Sequence, residues 1–277
     1  MSKKKTKVKV ELTRRDVLTV AGASLASVVA AQFLTTGPLS PFSNLKQGQI
    51  EDTPESGHGA ATGEFHWGMV INLDACIGCE YCQRACSAVN DVADPKPWNI
   101  VVEEKTSTGH TFYFSRPCLH CQNAPCVEVC PVKATYHRDD GLVMMDYDRC
   151  IGCRYCQIAC PYDARKFNWK ERDDVNPYVP TYGAPEVERR PRGVVEKCTF
   201  CVHRIDAALS SGMTPGEDPG AQPACVDICP VGARTFGNLK DPNSTISLLL
   251  AANPTIRLRE ELGAEPSVYY IPPKEGL

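Results

Sequence analysis

An α+β fold of two similar lobes, each made of short strands and short helices laid around cysteine-rich loops, is predicted by three features of this 277-residue sequence. Sixteen cysteines fall into four groups of four with none left over. Two groups are near copies: Cys76-Ile77-Gly78-Cys79-Glu80-Tyr81-Cys82-Gln83-Arg84-Ala85-Cys86 and Cys150-Ile151-Gly152-Cys153-Arg154-Tyr155-Cys156-Gln157-Ile158-Ala159-Cys160 differ only at Glu80/Arg154 and Arg84/Ile158. Such self-similarity marks an internal repeat. Around the groups, short runs of β-forming residues flank turns that contain glycine, a hairpin signal.

The N-terminus reads as an address. Residues 1–34 hold Lys3, Lys4, Lys5, Lys7 and Lys9, then Arg14 and Arg15, then a moderately apolar stretch from Val17 to Leu34. That order resembles a twin-arginine export signal. The alternative is a membrane anchor, but Thr19, Gly22, Ser24, Ser27 and Gln32 dilute the apolar run below what a spanning helix needs. Residues 35–65 carry Gly, Pro, Ser, Thr and acids without apolar periodicity and read as a linker. The folded domain is residues 66–277. It is mildly acidic, because residues 1–34 take seven of the 30 basic residues and two of the 33 acids. This leaves no electrostatic footprint for nucleic acid, and no nucleic-acid partner is expected.

Within the domain, residues 67–73 form a short apolar strand leading into the first cysteine loop, after which a short helix follows. Residues 98–103 and 110–115 read as paired strands around Ser107-Thr108-Gly109. Residues 134–137 and 143–146 flank Asp139-Asp140-Gly141, a second hairpin signal. Residues 161–197 and 202–224 are rich in Pro, Gly and charge and read as loops wrapping the cysteine core. Residues 246–252 are apolar but too short to span a bilayer, so no transmembrane segment is expected after the signal.

Three chemistries compete for the cysteines. The run Cys150-x2-Cys153-x2-Cys156-x3-Cys160-Pro161 has the iron-sulfur spacing of bacterial ferredoxins, in which three thiolates grip one cluster and the fourth reaches a neighbouring one. The other groups are Cys118-x2-Cys121-x4-Cys126-x3-Cys130-Pro131 and Cys198-x2-Cys201 with Cys225-x3-Cys229-Pro230. Zinc accepts Cys-x2-Cys pairs at tetrahedral sites, giving a cysteine-rich interaction module without redox function as the alternative. It does not require a thiol at every third residue followed by a fourth and then Pro. Disulfides suit an exported protein, but cysteines three apart would have to pair across turns that frustrate the required geometry. A cubane cluster presents its irons at tetrahedral corners, so a tight loop can wrap three of them. Gly78 and Gly152 leave room for that wrapping. Pro131, Pro161 and Pro230 turn the chain after the reaching cysteine, whereas the first group has Ser87 there.

The strings Arg116-Pro117-Cys118-Leu119-His120-Cys121-Gln122-Asn123-Ala124-Pro125-Cys126-Val127-Glu128-Val129-Cys130-Pro131, and Asp140-Gly141-Leu142-Val143 leading through Asp148 into Cys150 to Tyr162, resemble the four-cluster electron-transfer subunits of the dimethyl sulfoxide reductase family. These include the nitrite-reductase-associated, polysulfide or tetrathionate reductase and sulfite-reduction-complex iron-sulfur proteins. The resemblance runs from about Phe65 to the C-terminus, including Ser267-Val268-Tyr269-Tyr270-Ile271-Pro272. It implies tandem bacterial-ferredoxin-like lobes with loop and hairpin insertions, and four 4Fe-4S clusters. In the first lobe one cluster would be held by Cys76, Cys79, Cys82 and Cys229, and a second by Cys86, Cys198, Cys201 and Cys225. In the other lobe the sets would be Cys118, Cys121, Cys126 with Cys160, and Cys130 with Cys150, Cys153 and Cys156. Some relatives lack the equivalent of Cys153 and hold a three-iron cluster, whereas here that ligand is present.

The implied function is a periplasmic relay of single electrons. Its implied partners are a catalytic, molybdopterin-type oxidoreductase subunit and a quinone-reactive integral membrane subunit. No catalytic residue is expected on this chain: it has no nucleophile and base constellation, no P-loop and no dinucleotide fingerprint. Tyr81 and Tyr155 are expected to pack against the clusters and exclude water. His120 is expected to be a loop or interface residue. Lys133, Arg165 and Lys197 could raise cluster potentials electrostatically, but they are expected to be solvated charges.

Overall fold

The computed structural model describes residues 61–274. The expected export signal and nearly all of the expected linker lie outside the described residues. In chain order the strands are β1 (Trp67–Asn72), β2 (Ile100–Lys105), β3 (Thr111–Arg116), β4 (Thr135–His137), β5 (Val143–Met145), β6 (Lys166–Phe167), β7 (Val195–Glu196), β8 (Arg234–Asn238) and β9 (Val268–Ile271). The helices are α1 (Tyr81–Val89), α2 (Pro125–Glu128), α3 (Tyr155–Ala159), α4 (Val202–Ser210), α5 (Ala224–Asp227) and α6 (Thr245–Ala252). The class is α+β, as the sequence predicts. Among the described residues no helix is long and apolar enough to cross a membrane.

The main sheet has the order β8-β1-β9, with β1 antiparallel to β8 and parallel to β9, so that Met69 faces Phe236 on one side and Val268 on the other. Alternation along β1 divides its side chains between two cores. Trp67, Met69 and Ile71 join the large core, while Val70 packs with Ile246 and Ile271 beneath α6. Phe65, Trp67 and Phe236 stack with centroids 4.9 and 5.5 Å apart. The ribbons β2-β3 and β4-β5 are the two expected hairpins.

Residues 202–224 depart from the expected loop. Val202, Ile205 and Leu209 recur at helical spacing, and α4 buries Ile205 and Ala208. The span 161–197 is irregular apart from β6 and β7, which pair with each other. Its return segment is fastened by charge. Arg189 Nε donates to Asp91 Oδ2 at 2.8 Å, and Arg190 forms a buried ion pair with Glu196 at 2.8 Å.

Candidate metal-cluster sites

The two near-identical cysteine runs fold as conformational copies. Gly78 and Gly152 have φ of 71° and 69°, and Glu80 and Arg154, which precede α1 and α3, have φ of 61° and 64°. Glycine carries the first of these positions because a Cβ at residue 152 would strike the carbonyl oxygen of Gly193, and one at residue 78 the ring of Tyr113. The copies diverge where Ser87 replaces proline. Pro161 disfavours a helical conformation in the residue before it, so α3 stops at Ala159 and Cys160 is extended at φ −76°, ψ 112°. With Ser87 in that place α1 runs on to Val89 and buries Ala88 and Val89 in the added turn.

All sixteen cysteines are free of disulfides, and the structure gathers them into four sets. Cys76, Cys79, Cys82 and Cys229 line one cavity with Ile71 and Val231. Cys118, Cys121, Cys126 and Cys160 line a second with Leu119, Val143 and Tyr162. Cys130, Cys150, Cys153 and Cys156 line a third with Val132 and Val195. In the fourth set, burial and then the thiolates of Cys198, Cys201 and Cys225 push the buried Cys86 thiol well up. The Asn90 side-chain amide reaches both Cys86 Sγ at 3.8 Å and Cys201 Sγ at 3.5 Å.

The chemistry of these sets fits a multi-iron cluster. Burial comes first among the forces on the Cys225 thiol, which is pushed up to about 12. Thiolates crowded into such spaces repel one another unless something positive stands between them. Donors already point at the sulfurs: Asn99 Nδ2 to Cys82 at 3.3 Å, Phe200 N–H to Cys198 at 3.4 Å, Ala233 N–H to Cys229 at 3.3 Å and Thr135 N–H to Cys130 at 3.5 Å. Hydrogen bonds to the charged form favour thiolate, and in clusters they help set the potential. Among the described residues no three His, Cys, Asp or Glu side chains come together as a single-ion site. Four thiols to a set, with N–H donors aimed at several of them, match the all-cysteine ligation of a 4Fe-4S cluster.

Several secondary expectations are overturned. Tyr81 and Tyr155 do not shield the cavities; they are 41% and 59% exposed, and Tyr81 meets Tyr182 edge to face. Arg165 and Lys197 are not solvated charges, at 1% and 0% exposure. Lys133 is exposed, as expected. His120 sits in a loop, as expected, but is fully buried, accepts the Val143 N–H at Nδ1 over 3.1 Å and lies 4.0 Å from Phe200, centroid to centroid. Burial, then the neighbouring Lys197, holds its imidazole well below the usual histidine range.

Sequence reasoning missed Arg234 altogether. Its guanidinium is buried, donates to Cys225 Sγ at 3.5 Å and to Asn99 Oδ1 at 2.9 Å, and also contacts Ser115 Oγ. A signal was available, because Cys160-Pro161-Tyr162-Asp163-Ala164-Arg165 and Cys229-Pro230-Val231-Gly232-Ala233-Arg234 share the order Cys-Pro-x-x-Ala-Arg. Arg165 occupies the matching place in the other lobe and donates to Cys126 Sγ at 3.0 Å.

Comparison with known proteins agrees with this chemistry. Residues 75–134 and 109–239 each match the 4Fe-4S dicluster domain. The chain is 44% identical over 222 residues to the putative dimethyl sulfoxide reductase iron-sulfur subunit of Halobacterium salinarum, covering 74% of this chain and 79% of that protein. It is 41% identical over 242 residues to the iron-sulfur cluster-binding subunit of menaquinone reductase from Nitratidesulfovibrio vulgaris, covering 76% and 91%. One chain of the polysulfide reductase of Wolinella succinogenes is 37% identical over 216 residues, covering 76% and 96%. The zinc reading of the cysteines is set aside by these matches.

Proposed function

We propose a function from a plain premise: this chain belongs to the iron-sulfur subunits of the dimethyl sulfoxide reductase family, and within such a complex it conducts electrons through four 4Fe-4S clusters. A 4Fe-4S cluster supplies one-electron oxidation and reduction without making or breaking bonds in a substrate. The chain's own residues hold sulfur in four sets, exclude water with apolar walls and aim N–H donors at the thiolates. The observation that carries the reading is that each set combines cysteines from two of the sequence groups, so that every group contributes to two sites.

The current passes between a quinone-reactive membrane subunit and a catalytic, molybdopterin-type subunit, and the protein works in the periplasm. Names of the relatives support the setting: two are iron-sulfur subunits, of a dimethyl sulfoxide reductase and a menaquinone reductase, and a third is a chain of a polysulfide reductase. The two outermost cavities have exposed apolar rims, Ile77 and Val231 at one and Ile151 at the other, which suits them to partner docking. Arg14 and Arg15 direct export of the chain already folded around its clusters, because sixteen thiols released unfolded into an oxidising compartment would pair as disulfides.

The test is metal analysis of anaerobically purified chain followed by assay with a reduced dye. About 16 iron atoms per chain are expected, four to each cluster, with no turnover of nitrite, tetrathionate, polysulfide or sulfite until a catalytic subunit is added. Stoichiometric zinc, or robust catalysis by the chain alone, would overturn the proposal.

A further inference from the structure

Three cations are buried in this molecule with no carboxylate paired to them among the described residues: Arg165, Lys197 and Arg234. An unpaired buried charge is costly, so each needs an anion nearby. Their positions are not scattered. Arg234 lines the cavity of Cys76, Cys79, Cys82 and Cys229 while donating to Cys225 Sγ of the adjoining set at 3.5 Å. Arg165 lines the cavity of Cys118, Cys121, Cys126 and Cys160, donating to Cys126 Sγ at 3.0 Å. Its other arm donates to Thr135 Oγ1 at 3.1 Å and Met145 Sδ at 3.0 Å, both in the wall of the cavity of Cys130, Cys150, Cys153 and Cys156. Lys197 precedes Cys198 and donates to its carbonyl at 2.8 Å; burial lowers its ammonium below the usual range, and Arg165 adds to this, while Cys118 and Cys126 of the other lobe, with Cys198, favour its charge.

These positions order the four sets along a line. The set of Cys76 meets that of Cys225 at Arg234, the set of Cys198 meets that of Cys118 at Lys197, and the set of Cys126 meets that of Cys156 at Arg165. One buried cation stands at each of the three junctions.

Resting on the four-cluster reading above, we infer that Arg234, Lys197 and Arg165 are positioning residues for electron transfer, each serving as the countercharge shared by the two clusters that flank it. Reduction adds one electron to a centre that already carries the negative charge of its thiolates, so a fixed positive group beside it favours the reduced form and raises its potential. Arginine suits two of the junctions because its guanidinium stays charged and presents several donors at once. A shared countercharge has a consequence that a private one lacks: its removal moves two clusters and leaves the other two in place.

The experiment is a resonance-monitored redox titration of the complete, iron-loaded chain, with iron counted in the same samples. In Arg165→Gln two of the four one-electron waves are expected to fall by at least a tenfold change in reduction equilibrium, about 59 mV for a one-electron couple. In Arg234→Gln the other two fall, and in Lys197→Met the inner pair falls. Unmoved waves in iron-replete variants would overturn the inference, as would a uniform shift of all four in Arg165→Gln. Should a neutral variant lose its iron, Arg165→Lys and Arg234→Lys decide. Full iron with waves near their original positions supports the role of charge, and iron loss there too shows a structural role and overturns it. A wild-type chain with far fewer than about 16 irons would instead count against the four-cluster reading, which separates the two failures.

Discussion

The two tight cysteine runs and the two looser ones end in different surroundings. Cys76, Cys79 and Cys82, like Cys150 and Cys153, are partly or fully exposed, and their cavities have rims of exposed Ile77 and Ile151. Cys118, Cys121, Cys126, Cys198, Cys201 and Cys225 are all buried in the core. A run with a thiol at every third residue makes its own compact loop and can sit at the surface. A run interrupted by an insertion is held by the rest of the fold, so its first three thiols lie inside and only its last, Cys130 or Cys229, reaches an outer site. Sequence spacing thus separates the open ends of the line from its insulated middle.

Removing one cysteine from each region puts that contrast under the greatest load. Cys229→Ala is expected to cost about four of the 16 irons, those held with Cys76, Cys79 and Cys82, and to leave the chain folded. Cys225→Ala is expected to yield little soluble holoprotein, because an inner site is part of the core. Iron per chain and circular dichroism check both. If Cys229→Ala spared the iron at the Cys76 loop and cost that of Cys118 to Cys160, the grouping would be wrong.

A second contrast is kinetic. Under a chelator or brief exposure to oxygen the two outer sites are expected to lose iron first, leaving about half of it in the protein while the inner signals persist. Equal loss from all four would erase the distinction between ends and middle. Within the outer pair, Gly152→Ala is expected to lower the thermal midpoint further than Gly78→Ala. Both force a side chain onto a positive φ, a strain of about 1–3 kcal/mol. The new methyl at residue 152 meets backbone at Gly193, whereas the one at residue 78 meets a Tyr113 ring that can swing away.

The smallest effect concerns the segment returning from residues 169–192. Burial raises the Asp91 carboxyl, but its bonds to Arg189 and Asn176 and the nearby Arg172 outweigh that and hold it below the ordinary aspartate value. A depressed carboxylate contributes stability that is present above the unfolded-chain value and is lost as pH falls through the folded one. Asp91→Asn should therefore cost on the order of 1 kcal/mol near neutrality and flatten the acid limb of a pH-stability curve. An unchanged acid limb would show that the clamp contributes nothing.

Much of this molecule was legible in its sequence, for local reasons. Both hairpins, the first strand and the cysteine loops depend on short stretches whose turn residues and alternation can be read directly. Helix α4 was obscured by the Pro- and Gly-rich residues that follow it, although Val202, Ile205 and Leu209 carried the period. Burial of Arg165, Lys197 and Arg234 could not be read from any one window. Their neighbours come from segments 39, 79 and 135 residues away in the cases of Cys126, Cys118 and Asn99. Tyr81 and Tyr155 misled for the opposite reason: an aromatic beside a cysteine suggests shielding, but the loop that carries it turns its outer face to solvent.

The pairing of β1 with β9 sets a timetable for biosynthesis. Strand β1 is the first strand among the described residues to leave the ribosome, yet its parallel neighbour lies about 200 residues later and Cys229 about 150 residues later. The thiols of the second lobe, Cys118 to Cys160, are contiguous in the chain and are all available well before that. Maturation of the first lobe must therefore wait until translation is nearly finished, and a nascent chain stalled before residue 229 would carry every thiol of the second lobe beside an incomplete set for the first.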